Sequence, residues 1–275
     1  MTDTPLLDRV LAWAAEDPNI VAVVLTGSRA ALRRTPDRWS DVDIELICDD
    51  PAPLVEDDAW FHAFGEVLVY LRLLSEEGTH PTRLAAYSEG EVDFSLCGRD
   101  RIHSQASGLC DLYRRGYRVL IDKEGLTEAL PEPDGRPISK QLPTEEEFRG
   151  AVSVFWFEAY HQAGYLARED LWALKFRDGT MKKYLRKMLE WAAVTRDPDA
   201  DVRQIGHGMR NWVDDQTWVD LHSVWGGFDA DSSRRALMAT IDVFRMVARE
   251  VGAALGFDYP ESSDRQITER LTGSS

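Results

Sequence analysis

The 275-residue chain is poor in cysteine and has no long hydrophobic run. Its three cysteines, Cys48, Cys97 and Cys110, are odd in number and lack metal-ligand spacing, which argues against a disulfide framework and a zinc motif. No apolar segment reaches the roughly 20 residues that cross a bilayer, and the first residues show no basic stretch followed by an apolar one. We therefore expect reduced thiols in a cytoplasmic protein with no secretory signal and no membrane partner.

Positive charge is also scarce. Lys and Arg number 32 against 48 Asp and Glu, so the formal net charge is −16. A polyanion would be repelled at long range, and we expect no nucleic-acid partner. The same charge would attract a cationic substrate, although acidity that serves only solubility or a salt-adapted source also explains it.

Several familiar motifs are missing as well. The chain has no Walker-type loop, no Gly-x-Gly-x-x-Gly and no His-Glu-x-x-His, and its six histidines show no metal-ligand spacing. The hydrophobic content of 44% suffices for a sizeable core in one or two domains. A catalytic or metal site in this chain must therefore be built from residues other than these motifs and the histidines.

An apolar, β-branched run from residue 20 to residue 25 predicts a buried strand. Gly27 and Ser28 follow it, and a short helical turn through Leu32 is expected to begin there with Ser28 as its cap. Such a turn directs backbone N–H groups and a hydroxyl towards one point. This arrangement suits a phosphate group.

A second strand is predicted from Asp41 to Cys48. Residues two apart in a strand share a face, so Asp41 and Asp43 project together while Val42 and Ile44 face the core. Two carboxylates beside a phosphate site are the oxygen ligands that Mg2+ prefers.

A third carboxylate, Asp93, lies in an apolar strand predicted from residue 91 to residue 96. This strand forms a predicted hairpin with residues 83–87, and its Asp93 face corresponds to the Asp41 and Asp43 face of the earlier strand. Asp93 could also be one more surface carboxylate of an acidic protein. Its place among apolar residues argues against that alternative, because isolated buried charge is costly.

Four prolines between residues 131 and 143 interrupt all periodicity, and we place a domain boundary there. The predicted fold class is α+β, with a small mixed sheet flanked by helices in residues 1–140 and a helical bundle in residues 141–275. Thr144 and Glu147 predict a capping box at the start of the bundle. Further helices are expected over residues 169–195, with an interruption near Gly179, and over residues 213–224 and 232–255. Most tryptophans of this half are expected in its core.

One helix of the second half carries a basic face, formed by Lys182, Lys183, Arg186 and Lys187. A triphosphate needs positive charge, and Lys182 is our candidate for a phosphate contact. A solvated helix face explains the same pattern.

The ordered set of Gly27-Ser28, Asp41-x-Asp43 and Asp93 resembles the active site of the DNA polymerase β-like nucleotidyltransferases. Further segments resemble the aminoglycoside 6-adenylyltransferase family, the streptomycin-modifying enzymes, over nearly the whole chain. These segments are Ala59 to Gly65, Phe155-Trp156, Leu171 to Leu174, Trp191 and Leu255 to Pro260. In one departure, Val42 stands where relatives often have an aromatic residue. Its side chain is expected to face the core, away from the metal.

The resemblance implies a role for each of these residues. Asp41 and Asp43 would hold Mg2+, with Asp93 completing the metal site and taking the proton from the substrate hydroxyl. Gly27 and Ser28 would hold the β- and γ-phosphates of ATP, with Arg29 close by. The implied function is transfer of AMP from ATP to a hydroxyl of streptomycin or a related aminoglycoside, an antibiotic-resistance activity that releases pyrophosphate.

Two other functions remain open at this point. One is a nucleotidyltransferase that acts on another hydroxylated acceptor, such as a lincosamide or an endogenous metabolite. The other is a nucleotide-binding module that has kept the fold and lost catalysis.

Streptomycin-like substrates carry guanidinium groups, which carboxylates bind in forked pairs, and Glu158, Glu169 and Asp170 are candidates for that contact. The sequence does not give the oligomeric state.

Overall fold

The computed structural model describes residues 5–74, 80–137 and 140–273. The chain divides into two compact units, residues 1–137 and residues 138–275. The first unit carries a six-stranded sheet with helices, and the described part of the second is helical, which confirms the α+β class. Among the described residues, none of the helices combines the length and apolar character that crossing a membrane requires.

The first unit follows the predicted strand pattern closely. Its elements are α1 (Pro5–Glu16), β1 (Ile20–Leu25), α2 (Gly27–Ala30), β2 (Val42–Cys48), α3 (Ala52–Glu56), a 3-10 helix (Ala59–Phe64), β3 (Val67–Leu74), β4 (Pro81–Tyr87), β5 (Gly90–Gly98), α4 (Asp100–Ser107), α5 (Asp111–Arg115) and β6 (Arg118–Asp122).

The strand order in the sheet is β3-β4-β5-β2-β1-β6. β2 and β5 are parallel neighbours, and the other neighbouring pairs are antiparallel. Alternate residues of β2 and β5 share one face of the sheet, and that face packs with residues of α1 in the main core of this unit. The buried residues of that face are Val42, Ile44, Leu46, Val92, Phe94 and Leu96. On the opposite face, Ile47 and Cys97 belong to a second buried cluster, and the polar residues Asp43 and Asp93 lie nearer the start of each strand.

The second unit contains α6 (Glu145–Ala167), α7 (Leu171–Arg196), α8 (Asp215–Leu221), α9 (Ala230–Leu255), α10 (Glu261–Thr272) and two short 3-10 helices (Gln204–Gly206 and Met209–Asn211). The capping box is confirmed, because Glu147 N donates to Thr144 Oγ1 at 3.2 Å and Thr144 N donates to Glu147 Oε2 at 2.8 Å. α7 continues through Gly179, so the predicted interruption is wrong. α10 was not predicted.

The tryptophans of this unit are divided between core and surface. Trp156 and Trp191 are buried, whereas Trp172 and Trp225 are 79% and 69% exposed. Trp212 and Trp218 are partly buried against the same core, so four of the six tryptophans belong to it or pack on it, as expected. Apolar helix positions do not reveal which aromatic residues a neighbouring helix covers.

Candidate active site

The end of β1 is joined to the start of β2 at the predicted phosphate turn. Thr26 N donates a hydrogen bond to Asp43 O at 2.9 Å. Gly27 has a φ of +62°, and a Cβ atom there would overlap the Asp43 carboxylate, well inside the 3.0 Å that real Cβ atoms keep. Only glycine allows this close approach of backbone to carboxylate.

Ser28 lies within α2 and is not its cap. The N-cap position belongs to Thr26, and the helix ends at Ala30, two residues before the predicted Leu32. The Ser28 hydroxyl is buried and has no hydrogen-bond partner within the described residues. A buried hydroxyl without a partner is costly in a folded protein, and a bound ligand group would satisfy it.

The three aspartates converge. The parallel register places Asp43 opposite Asp93, and Asp41 immediately precedes β2. One carboxylate oxygen from each of Asp41, Asp43 and Asp93 lies within 4.8 Å of the other two. The convergence follows from the period of two along each strand and from the parallel pairing of β2 with β5.

Electrostatics within this cluster favour a bound cation. Burial, followed by repulsion from Asp43, Asp41 and Glu91, raises the pKa of Asp93 to about 8. Asp93 Oδ1 is also buried without a hydrogen-bond partner in the part of the chain that the structure describes. Hard carboxylate oxygens and crowded negative charge fit Mg2+, so the residues present suit the metal that the family resemblance implies.

Arg29 is turned towards the backbone that leads into β2. Its Nε donates to Asp41 O at 2.8 Å, and its Nη2 donates to Ser40 O at 2.7 Å. These bonds fix the segment that carries Asp41. Arg29 and Asp41 also line a cavity of about 630 Å3, together with Trp39 and Glu91. The phosphate contact expected of Arg29 stays a prediction.

One buried group on the same face of β2 was missed by the sequence reasoning. Glu45, two residues after Asp43, accepts hydrogen bonds from Arg101 Nη2 at 2.7 Å and from Tyr113 Oη at 2.7 Å. All three side chains are buried. The available signal was a glutamate inside an apolar strand, which required a partner. The hydrogen bonds of Glu45 with Arg101 and Tyr113 therefore hold in place the strand that carries Asp43.

Lys182 is buried in the second unit. Its Nζ donates to Asp178 Oδ1 at 2.6 Å and to Thr240 Oγ1 at 2.7 Å. Burial lowers its pKa, and Asp178 opposes that shift. A solvated helix face is therefore the wrong description of Lys182, although its neighbour Lys183 is exposed. The predicted phosphate contact of Lys182 is not tested by these bonds.

A cavity of about 900 Å3 opens beside Lys182 within the second unit. Arg186, Trp218 and Trp225 contribute to its lining. Two of the tryptophans of this unit therefore line a cavity.

Comparison with known proteins identifies the family of this chain. A family model described as streptomycin adenylyltransferase matches residues 1–273. The chain is 24% identical to an aminoglycoside 6-adenylyltransferase of Campylobacter jejuni, over 94% of this chain and 91% of the relative. It is 23% identical to a protein of that name from Bacillus subtilis (strain 168), over 99% and 97% of the two chains. A Staphylococcus aureus protein of the same name is 26% identical, over 94% of each chain.

Proposed function

Since the chain belongs to the streptomycin adenylyltransferase family and is a nucleotidyltransferase, we propose that it moves AMP from ATP to a hydroxyl of an aminoglycoside, with streptomycin as the expected acceptor. The observation that carries this proposal is the convergence of Asp41, Asp43 and Asp93 beside Gly27. Three carboxylates at the starts of two neighbouring strands repel one another, and a bound metal ion would offset that repulsion.

The reaction is a substitution at the α-phosphorus of ATP. The acceptor hydroxyl oxygen forms a bond to that phosphorus, and the bond from the phosphorus to the oxygen bridging the β-phosphate breaks. Pyrophosphate leaves with the bonding electrons, and Asp93 takes the hydroxyl proton. Catalysis of this kind depends mainly on positioning and on stabilising charge.

Asp41, Asp43 and Asp93 would hold Mg2+. When bound, the metal neutralises charge on the phosphate groups and on the carboxylates themselves. The chain contributes to this arrangement through its backbone. Gly27 leaves space for the Asp43 carboxylate, and Arg29 holds the carbonyl groups next to Asp41.

The phosphates of ATP would meet Gly27 and Ser28. The partnerless hydroxyl of Ser28 supports this assignment, because a phosphate oxygen would accept its hydrogen bond. Arg29 and Lys182 are the proposed cationic contributors. Residues 1–140 would thus carry the chemistry, and residues 141–275 would bind the acceptor.

The acceptor would be recognised through its positive charge. The net charge of −16 favours an aminoglycoside over an anionic acceptor. Glu158 is already engaged by Arg177, whose Nη1 lies 2.9 Å from Glu158 Oε1. Glu169 and Asp170, at the junction of α6 and α7, are therefore the better candidates for a guanidinium contact.

The test is an ATP-dependent acceptor screen. The protein is incubated with ATP, Mg2+ and streptomycin, and mass spectrometry is used to detect the AMP adduct together with released pyrophosphate. We expect an adduct with streptomycin and none with the Asp43→Asn variant. Turnover with a lincosamide or another hydroxylated compound alone would replace the aminoglycoside assignment. Nucleotide binding without any turnover would indicate a non-catalytic module.

A further inference from the structure

A cavity of about 630 Å3 lies in the first unit at the starts of β2 and β5, next to the three aspartates. Its volume is within the range of about 300–1,000 Å3 that is typical of ligand sites. Asp41 lines the cavity and also belongs to the proposed metal cluster. A molecule bound in the cavity would therefore lie beside the group that reacts. The proposed function requires the acceptor hydroxyl in the same place, because Asp93 takes its proton.

The lining of this cavity suits a cation. Four of its lining residues are acidic and two are basic. Both basic side chains already have contacts within the chain. Arg29 donates hydrogen bonds to the carbonyl groups that precede β2. The guanidinium group of Arg38 lies over the ring of Trp39, 4.5 Å from its centroid. The negative charge of the lining is therefore not fully neutralised by the lining itself.

Glu91 is the acidic residue of the lining that is available to a ligand. Asp41 belongs to the metal cluster, and Asp37 accepts two hydrogen bonds from its own loop. Glu89 pairs with Arg9 at 3.0 Å. Glu91 is exposed, and no cation of the described residues forms an ion pair with it. A cationic ligand group would give this carboxylate a partner.

Glu91 also lies next to the proposed base. Glu91 and Asp93 are two residues apart in β5, so their side chains share a face of the sheet. Repulsion from Glu91 contributes to the raised pKa of Asp93, which confirms that the two carboxylates are close. Among the described residues, however, Glu91 is not one of the three carboxylates that converge within 4.8 Å. It is a fourth carboxylate, beside the metal cluster and outside it.

Trp39 supplies an aromatic wall to the same cavity. Its side chain is 79% exposed, so it contributes little to the core of its unit. An indole ring stacks well on a guanidinium group, as the contact with Arg38 illustrates. A carboxylate pairs with a guanidinium group in a forked geometry. Glu91 and Trp39 together therefore offer the two contacts that a guanidinium group prefers.

We propose that Glu91 and Trp39 form a guanidinium subsite for the acceptor, in which one guanidinium group of the acceptor pairs with Glu91 and stacks on Trp39. This contact would hold the acceptor with its hydroxyl beside Asp93, so the two side chains determine acceptor specificity. The inference rests on the proposed function. It adds a contact from residues 1–137 to those proposed at Glu169 and Asp170.

The first test compares the kinetics of Glu91→Gln, Trp39→Ala and Trp39→Phe with those of the wild type. We expect Glu91→Gln and Trp39→Ala to raise the KM for streptomycin by about tenfold and to leave the KM for ATP within about twofold. Trp39→Phe keeps an aromatic face and should retain most of the affinity. Glu128→Gln, an exposed change in the same unit, is the matched control. Circular dichroism should show retained folding, since both substituted side chains are exposed.

The second test is titration calorimetry of streptomycin without ATP, which measures the subsite whether or not AMP is transferred. Weaker binding to Glu91→Gln than to Glu128→Gln would support the subsite even if no adduct formed and the proposed function failed. AMP transfer with an unchanged KM for streptomycin in Glu91→Gln and Trp39→Ala would overturn the subsite and keep the proposed function. A change in kcat alone would also overturn it, because Glu91 would then act only through the charge of Asp93. Absence of streptomycin binding to the wild type would overturn both.

Discussion

Gly27 lies so close to the carboxylate of Asp43 that no residue with a Cβ atom fits at its position without moving that carboxylate. The position of the proposed metal ligand on β2 therefore depends directly on the turn after β1. Thr26 strengthens the same connection with its hydrogen bond to the Asp43 carbonyl. Several expected outcomes depend on this relationship.

Gly27→Ala should reduce kcat/KM by about 100-fold, the cost that a displacement of about 1 Å imposes on a catalytic group. The added methyl group would push the Asp43 carboxylate away from Asp41 and Asp93. Steady-state kinetics with ATP and streptomycin would measure the loss. Gly150→Ala in α6 is the matched control, because its added Cβ meets no atom within 4 Å. Wild-type turnover by Gly27→Ala would contradict the assignment.

Asp43→Asn should lower turnover by about 100-fold or more, since the amide cannot replace a charged metal ligand. We expect the variant to fold normally, because the change relieves repulsion with Asp41 and Asp93. Turnover assays and thermal melting would be compared with Asp8→Asn, an exposed change in α1. A fully active Asp43→Asn protein would show that the carboxylate does not bind the metal.

The metal-free protein should become less stable as the pH rises from about 4 to about 8. The ordinary pKa of an aspartate is 3.8, and that of Asp93 in the folded chain is about 8. The folded state therefore binds more protons in this window, and its free energy of unfolding falls with rising pH. Melting temperatures in EDTA should show a weaker pH dependence for Asp93→Asn. Identical slopes for both proteins would disprove the shift.

Glu45→Gln should cost about 3–5 kcal/mol of unfolding free energy, because it removes the carboxylate charge that neutralises the buried Arg101 side chain. Urea denaturation would measure the change. Glu89→Gln removes a surface pair with Arg9 of 3.0 Å and should cost less than about 1 kcal/mol. Equal effects in the two variants would mean that burial does not determine the contribution of the Glu45 pair.

Lys182→Gln should raise the KM for ATP by about tenfold, the equivalent of about 1.4 kcal/mol, with little effect on the KM for streptomycin. A loss of local packing could mimic part of this result. Asp178→Asn breaks the same buried pair and controls for the packing loss, since it leaves the ammonium group in place. If both variants raise the KM for ATP equally, the role of Lys182 is structural.

Local pattern was sufficient to predict most of the sheet and the three aspartates. Alternation along residues 42–46 and 92–96 is a local property, and it determines which side chains share a face. Pairing between distant segments produces no comparable pattern in the local sequence. Glu45 and Arg101 are 56 residues apart, so their contact could not be derived from either segment alone. The exposure of β3 and of Trp225 likewise depends on which neighbours cover them.

The sequence by itself determined where most strands and helices form, and it identified the carboxylates, the glycine and the serine of the candidate site. Its information is local, because periodicity and turn chemistry depend on residues a few positions apart. The tertiary structure decided that β2 and β5 are parallel neighbours, that Lys182 is buried and that β3 is left at an edge. These outcomes depend on packing between segments far apart in the chain, where burial and charge pairing select one arrangement among many.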